Sequence, residues 1–303
     1  MHRCRVAPGI VGPPRQTRPV TVASAPEQQT LDGMPQRLFT CTPSRLATWL
    51  DCPRRYRFVY VDRPAPPKGP PWAHNSVGAA VHTALASWWG LPVSDRSPAA
   101  AASLVRRRWI PLGFRDDEQS AEWRERAAEM VAGYVERLDP HDEPIGVERT
   151  VAMRTERLAL SGRIDRLDRR GDDLVVVDYK TGRHVLTTDD ARGSLALAVY
   201  ALAAARTLRR RCVRVELHHL PTGDVIEWEH DDAALARHLD RAHVIAAEAS
   251  AAEASGDAAA FPANPGPMCG WCDFSAHCPE GRAARTAQPP WAGLAPNASP
   301  LSD

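Results

Sequence analysis

Two aspartates and a lysine that flank a short turn are the residues in this sequence best suited to chemistry. If Gly171-Asp172 forms a two-residue hairpin turn, the flanking strands pair residue by residue from the turn outward. This register places Asp165 directly opposite Asp178, with Cβ atoms about 4.5–5.5 Å apart on one face of the sheet. Lys180 shares that face with Asp178, because alternate residues of a strand point to the same side.

This trio suits the hydrolysis of a phosphodiester bond. Two ionised carboxylates that close repel each other, and a divalent cation between them offsets the repulsion. An ammonium group beside such an ion can orient the attacking water and stabilise the charge that develops on phosphorus. The residues therefore predict catalysis with Mg²⁺ or Mn²⁺.

A surface hairpin is the alternative interpretation, in which the acids form ion pairs with neighbouring arginines: Arg163, Arg166 and Arg169. The second strand argues against it, because it is apolar on both faces. The face of Asp178 also carries Leu174 and Val176, and the other face carries two valines. Such strands are usually buried, and a buried aspartate needs a partner. For Glu148, at the start of the first strand, a solvated strand end is favoured over an auxiliary catalytic acid.

Three cysteines crowd into ten residues near the C-terminus, with the spacing Cys269-x2-Cys272-x5-Cys278. Together with one remote thiolate they make a four-ligand metal site, and Cys52 is the candidate for the fourth ligand. The spacing alone leaves zinc and an iron–sulfur cluster both open. Joining Cys52 to Cys269 closes a loop of about 217 residues, which is worth roughly 5 kcal/mol, so the predicted role is structural. The spare cysteines are Cys4, Cys41 and Cys212, the last expected to pack in a strand.

The hairpin resembles the catalytic core of the PD-(D/E)XK nucleases and, more narrowly, the nuclease domain of RecB-like exonucleases. The resemblance rests on G-x-x-D ending at Asp165, on D-Y-K-T-G beginning at Asp178, and on G-x-x-x-H ending at His82. It implies that these three residues bind the metal ion. It also implies that the backbone carbonyl of Tyr179 completes the ligand shell and that Lys180 assists the attacking water.

One position departs from the family pattern. The helix after the hairpin usually carries a Gln four residues before a Tyr, and Tyr200 matches the Tyr while Ala196 stands at the Gln position. That Gln is expected to help hold substrate or water, so its replacement by Ala196 is compatible with weaker activity or with a different way of binding DNA. Tyr200 itself is a candidate substrate contact.

The cysteine pattern resembles the iron–sulfur branch of these nucleases, which includes the AddB nuclease domain and the CRISPR-associated Cas4-type exonucleases. The resemblance implies a [4Fe–4S] cluster, with Zn²⁺ as the alternative, held by four residues: Cys52, Cys269, Cys272 and Cys278.

Arginines next to Cys52 predict contact with nucleic acid. Arg54 and Arg55 adjoin Tyr56 and Phe58, and charge interleaved with aromatic rings suits a single strand, although a solvated helix face fits equally well. The arginine clusters at 106–108 and 209–211 favour the solvated interpretation. No phosphate-binding motif of the form G-x-x-x-x-G-K-[ST] occurs, so unwinding would require a separate helicase or frayed ends.

The elements that position these residues are predicted by their hydrophobic periodicities. A helix begins at Thr42-Pro43, and another is capped by Asn75 or Ser76. The remaining predicted elements are helices at 98–110, 119–138, 194–208 and 231–254, and strands at 147–158, 160–167, 174–180, 213–220 and 225–228. This order indicates an α/β fold with a mixed central sheet flanked by helices, the restriction-endonuclease-like core.

The predicted domain spans residues 35–282, with cluster ligands at both ends, between a disordered leader at 1–34 and a disordered tail at 283–303. An apolar fraction of 44% and a charged fraction of 25% are ordinary for a soluble protein. No apolar run approaches the roughly 20 residues that span a bilayer, so a cytoplasmic location is expected. The net charge of +1 leaves DNA binding to local basic patches.

Together these features predict a metal-dependent DNA exonuclease of repair, recombination or foreign-DNA processing. The alternative, from another class, is a catalytically weak or inactive DNA-binding module whose hairpin and cluster are structural.

Overall fold

A computed structural model describes residues 38–295, which belong to one compact unit. The predicted leader at 1–34, with Cys4, lies outside the described residues, as do residues 296–303.

The fold is built on one six-stranded mixed sheet. The strands are β1 Phe39–Cys41, β2 Gly146–Arg154, β3 Leu158–Arg170, β4 Asp173–Lys180, β5 Cys212–His219 and β6 Asp224–Glu229. Their order in the sheet is β1-β3-β4-β5-β6, and β2 pairs with β3 beside this path. The β1–β3 and β4–β5 pairs are parallel and the other pairs are antiparallel. The predicted α/β class with a mixed central sheet is confirmed, although β1, with only three residues, was not predicted.

Helices cover both faces of this sheet. They are α1 Pro43–Asp51, α2 Pro53–Tyr56, α3 Ala73–Trp89, α4 Pro98–Arg107, α5 Asp117–Val135, α6 Thr188–Gly193, α7 Leu195–Leu208, α8 Asp232–Ser255 and α9 Pro279–Ala284. On one face, Leu174 and Val176 of β4 join a core with α1, α7 and α8. On the other, Val175 and Val177 join a core with α3, α4 and α5. The strand that carries Asp178 is therefore buried on both faces, as its composition predicts.

The helix starts agree in part with the prediction. Thr42 caps α1 by accepting a 3.1 Å hydrogen bond from the backbone N–H of Arg45. In contrast, α3 begins at Ala73 without a side-chain cap, so neither Asn75 nor Ser76 caps it. The carbonyl of Pro290, in the C-terminal segment, accepts a 3.1 Å hydrogen bond from the Ala73 N–H and so satisfies one of the N–H groups that a cap would serve.

This C-terminal segment moves the boundary of the packed chain. The backbone N–H of Gln288 donates to the Gly270 carbonyl at 2.8 Å. Leu294 is buried in the core under α3 and α5. Residues 283–295, which the sequence assigned to a tail, therefore pack on the domain, because an apolar side chain and backbone hydrogen bonds attach them.

No helix in residues 38–295 is both long and apolar enough to cross a membrane.

Candidate metal centre and cysteine cavity

Strands β3 and β4 pair near their turn and then separate. The hairpin has the predicted register, and its last ladder pair is Arg166 with Val177. Gly171 supplies the positive φ, 65°, that a two-residue turn requires. One step beyond the last pair, the carboxylate of Asp165 accepts a 2.9 Å hydrogen bond from the backbone N–H of Tyr179. The Asp165 side chain thus occupies the place where a further ladder bond would form. We call the opening between β3 and β4 at Asp165, Asp178 and Tyr179 the notch.

Glu148 stands level with Asp165 on the neighbouring strand β2. Glu148 lies next to Asp165, because the ladder pairs on either side of it join Val147 to Arg166 and Arg149 to Ile164. The backbone at Glu148 has a φ of 50°, which breaks the regular ladder at this position. Such a φ is uncommon outside glycine and is frequent at functional sites. Glu148 is therefore not the solvated strand end that was favoured from the sequence.

An imidazole and two carboxylates converge beside the notch. The Nδ1 of His82, on α3, lies 3.2 Å from Oδ1 of Asp165. One ligand atom from each of His82, Glu148 and Asp165 lies within 4.8 Å of the others. They line a cleft of about 750 Å³ between α3 and strands β2 and β3. Two carboxylates and one imidazole form a donor set suited to a divalent cation such as Mg²⁺ or Mn²⁺.

Asp178 and Lys180 stand together on the other side of the notch. Lys180 Nζ lies 3.5 Å from Oδ2 of Asp178. That oxygen is buried and has no hydrogen-bond partner of good geometry among the described residues. Burial raises the pKa of Asp178, and it outweighs the opposing charge of Lys180. A buried carboxylate oxygen without a hydrogen bond is costly, so Asp178 suits a site that an ion completes.

The carboxylates around His82 raise its pKa. Burial acts to lower its pKa, but the hydrogen bond to Asp165 and the charges of Asp165, Asp178 and Glu148 outweigh burial, and the pKa is raised. Four ionisable groups in mutual electrostatic contact at one cleft are typical of functional sites.

Tyr200 reaches the same site from α7. Its ring lies over Gly162, where a Cβ would come 2.3 Å from Tyr200 Cε1, so the glycine of G-x-x-D is required by this contact. Burial raises the pKa of Tyr200 to about 12, and the charges of Asp178 and Asp165 add to the effect. Ala196, one helical turn earlier, is half-buried. The structure thus brings Tyr200 near both aspartates.

The four predicted cluster cysteines line one cavity of about 680 Å³. Each sulfur interacts with a backbone N–H, an arrangement that stabilises thiolates around metal clusters. Burial raises the pKa of Cys272 and of Cys278, and these amide hydrogen bonds act in the opposite direction. The pairs are Asn264 N–H with Cys52, Gly266 N–H with Cys269, Phe274 with Cys272, and Gly281 N–H with Cys278.

The two spare cysteines of the described chain lie in the core. Burial raises the pKa of Cys41 to about 11 and of Cys212 to about 12. Cys212 packs in β5, as expected.

The predicted stacking of DNA on Tyr56 and Phe58 is not possible in this structure. Tyr56 is 1% exposed and its hydroxyl bonds to Glu253, while Phe58 is 8% exposed and packs on Phe274. Arg54 and Arg55 line the cysteine cavity. The alternation of charged and aromatic residues there follows the buried and exposed sides of a helical segment.

The sequence matches a model of the PD-(D/E)XK nuclease superfamily over residues 40–279. No curated protein matches the chain. Among solved structures, the chain resembles a crystal structure of a "Putative exonuclease" from Eubacterium rectale, with a TM-score of 0.49 and 10% identity, over 82% of this chain and 88% of that one.

Proposed function

Because the chain belongs to the PD-(D/E)XK nuclease superfamily, we propose that it is a divalent-metal-dependent DNA exonuclease whose catalytic centre is the notch. The observation that carries this proposal is the convergence of Asp165, Asp178 and Lys180, with His82, where β3 and β4 separate. Biological roles consistent with this activity are DNA repair, recombination and the processing of foreign DNA.

His82, Asp165 and Asp178 would hold Mg²⁺ or Mn²⁺, with the Tyr179 carbonyl as a further ligand. When bound, the ion would polarise the scissile phosphate and increase the acidity of the attacking water. The Tyr179 N–H fixes one oxygen of Asp165, which leaves the other directed to His82. Glu148 adds a carboxylate on β2, close to the ligand atoms of His82 and Asp165, and β3 with Asp165 lies between it and Asp178 on β4.

Lys180 and Tyr200 act on the substrate side of this arrangement. The Lys180 ammonium, held by Asp178, orients the water and stabilises negative charge on the phosphate oxygens. Tyr200 stays protonated at neutral pH because its pKa is about 12, so its hydroxyl remains a hydrogen-bond donor near the carboxylates. No Gln assists it, since α7 carries Ala196 at that position.

The cysteine cavity would hold a [4Fe–4S] cluster with a structural role. Four cysteines with a backbone N–H near each sulfur suit such a cluster, and the resemblance of their spacing to the iron–sulfur branch of these nucleases supports it over a single zinc ion. Zinc in anaerobically purified, colourless protein would contradict this assignment.

A digestion assay tests the nuclease. Anaerobically purified protein should degrade end-labelled linear DNA with Mg²⁺ or Mn²⁺, and not with EDTA. Asp178→Ala and Lys180→Ala should each abolish the digestion. Undiminished digestion by both variants would overturn the mechanism, and the label position would report the polarity and the strand preference. Since the sequence has no motor motif, any activity on duplex DNA should start at frayed ends or depend on a separate helicase.

Ala196 favours the second candidate, a DNA-binding module with little or no activity. Calorimetric titration with Mn²⁺ separates the two functions. Binding that is lost in Asp165→Asn supports the nuclease, whereas the absence of any Asp165-dependent binding supports the module.

A further inference from the structure

Three aromatic rings meet where the cysteine loop contacts the start of α3. The Trp72 ring centroid lies 5.4 Å from that of Trp271 and 6.0 Å from that of His74. All three side chains are half-buried, and none belongs to the hydrophobic cores of residues 38–295. We call them the aromatic platform. Aromatic residues that remain partly exposed outside a core are typical of binding surfaces.

The platform is held in place by Asp273. Trp72 Nε1 donates a 2.7 Å hydrogen bond to Oδ1 of Asp273, and the Asp273 carbonyl accepts a 2.8 Å hydrogen bond from the Gly69 N–H. Lys68 Nζ lies 4.0 Å from the other carboxylate oxygen. The Asp273 carboxylate is therefore already engaged by the Trp72 N–H and by the Lys68 ammonium. Because these contacts hold the Trp72 ring in place, little conformational entropy is lost when a flat ligand stacks on the two indoles. The charge of Asp273 beside them is offset by Lys68.

Of the three rings, Trp72 lies on the side of α3 that lines the metal centre, whereas Trp271 lines the cysteine cavity. If the helical positions are extended to the N-cap Trp72, then Trp72, Ala79, His82 and Ala86 fall within an arc of about 80°, and the last three line the cleft. Trp72 precedes His82 by ten positions, which is about 15 Å along the helix axis. Roughly two or three nucleotides of an extended single strand bridge such a distance.

The helix face between these points does not repel a polyanion. Over its 17 residues α3 carries no Asp, Glu, Lys or Arg. At the cleft end, the Arg163 side chain is 70% exposed and forms an ion pair with Glu148 at 2.6 Å, and Lys180 lies 3.5 Å from Asp178 at the notch. A phosphodiester backbone following α3 therefore meets no charge on the helix before it reaches the cleft, where Arg163 and Lys180 stand beside the carboxylates that would hold the metal ion.

We propose that the aromatic platform stacks on a base of single-stranded DNA, roughly two or three nucleotides from the phosphate that enters the notch. This inference rests on the proposed nuclease function and names its substrate as a single strand, because only an unpaired base offers both faces for stacking. Stacking tolerates any sequence, so the enzyme should show little base preference. Since Trp271 lies between Cys269 and Cys272, metal binding at the cysteines would also order the platform.

Abasic scanning tests the proposal. Binding of a labelled oligothymidylate of about 12 nucleotides is measured by fluorescence anisotropy, with Ca²⁺ in place of Mg²⁺ to prevent cutting. A single abasic site is moved along the strand. In the wild-type protein, one or two adjacent abasic positions should weaken binding by roughly 5- to 150-fold, the range measured for loss of one base–aromatic stack.

Substitutions of Trp271 assign that loss. Trp271→Leu keeps apolar bulk but removes the ring, so it should weaken binding of the intact oligonucleotide and abolish the abasic effect. Trp271→Phe should restore both. Trp123→Leu, at a half-buried tryptophan on α5, is the matched control and should bind as wild type. Cluster content, measured on each variant by metal analysis, identifies any loss caused by a damaged cysteine site.

Each outcome bears on one claim. If Trp271→Leu with full cluster content binds like the wild type, or if the abasic effect persists in it, the platform proposal is overturned. If the protein cuts DNA but shows no abasic effect, the platform proposal is refuted and the nuclease proposal stands. If the protein shows a Trp271-dependent abasic effect but never cuts with Mg²⁺ or Mn²⁺, the platform proposal stands and the nuclease proposal is refuted.

Discussion

The two carboxylate oxygens of Asp165 make different contacts. One oxygen accepts the Tyr179 N–H and so compensates for the ladder bond that β3 and β4 do not form, and the other contacts His82. Asn at this position could keep one of these contacts, but it has no negative charge to hold an ion. Under the proposed function this residue is structural and catalytic at once, and we expect its substitutions to affect both properties.

Glu148 gives a test of which carboxylates hold the ion. Glu148→Gln should weaken Mn²⁺ binding by roughly tenfold, because one charge is lost from the donor group while the shape remains. Glu156→Gln, at an exposed residue of the β2–β3 turn, is the control and should leave binding unchanged. Calorimetry with Mn²⁺ measures both variants. Equal affinities would remove Glu148 from the metal centre.

At the scale of elements, two close contacts hold helices against the β3–β4 hairpin. α7 approaches β3 at Gly162, and α3 approaches the D-Y-K-T-G segment at Gly78, where a Cβ would lie 3.3 Å from Thr181 Oγ1. Both glycines belong to the motifs from which the site was predicted. Their packing role explains the motif glycines without any role in chemistry.

Gly162→Ala should therefore displace Tyr200 and destabilise the protein by about 1–3 kcal/mol, because the new Cβ overlaps the ring. Gly133→Ala, on α5 with no atom within 4 Å of the added Cβ, should stabilise by about 0.5–1 kcal/mol. Urea unfolding measures both free energies. If adding Gly162→Ala to Tyr200→Ala costs as much as it costs the wild type, the clash is not the cause.

A buried cation supports the strand that carries the site. Arg166 is 3% exposed and contacts the hydroxyls of Tyr134 and Tyr179 and the carboxylate of Asp168. Its contact with the Tyr179 hydroxyl links β3 to β4 beyond their last ladder pair, and we call this link the brace. The network continues to β5 through His218, which bonds to the Tyr134 hydroxyl.

Arg166→Met should lower the free energy of unfolding by about 3 kcal/mol, because Asp168 and the phenols lose a buried partner. It should also weaken Mn²⁺ binding, since Asp178 adjoins the braced residue. Arg169→Met, at an exposed neighbour on the same strand, serves as the control. Thermal melts with and without Mn²⁺ report both effects, and identical shifts in the two variants would argue against the brace.

The sequence predicted the hairpin register well because turn chemistry and strand alternation are local. Its extension to an Asp165–Asp178 ladder pair goes one step too far, since a side chain ends the ladder after Arg166 and Val177. The exposure of Tyr56 and Phe58 was not predictable from their spacing, because it depends on α8 and the cysteine loop, which are some 200 residues away along the chain. Glu148 was underestimated for a different reason: its backbone leaves the regular β2–β3 ladder with a φ of 50°, which strand alternation does not predict.

For the whole molecule, the cysteine cavity joins the first helices to the C-terminal segment. Cys52 stands between α1 and α2, and the other three cysteines of the cavity follow α8. The segment after them returns to α3 through the Pro290 carbonyl and buries Leu294. A metal in this cavity would thus fasten the chain on both sides of the sheet that carries the site.

Loss of one cysteine ligand should affect global stability more than it affects the metal centre. Cys52→Ser should lose the bound iron and lower the free energy of unfolding by roughly 3–5 kcal/mol, by releasing the long loop. Cys212→Ala, in the core of β5, should keep the full iron content despite its own packing cost. Iron analysis together with chemical unfolding checks both, and full iron content in Cys52→Ser would exclude it as a ligand.

The most direct test of the central claim is the single-turnover cleavage rate of end-labelled single-stranded DNA with Mn²⁺, compared between two variants of the same hairpin. Asp178→Asn keeps the shape of the side chain and removes its charge, and we expect its rate to fall by at least about a thousandfold. Asp172→Asn, in the exposed turn, should cut at the wild-type rate. Equal rates in Asp178→Asn and Asp172→Asn would contradict the assignment of the notch as the catalytic centre.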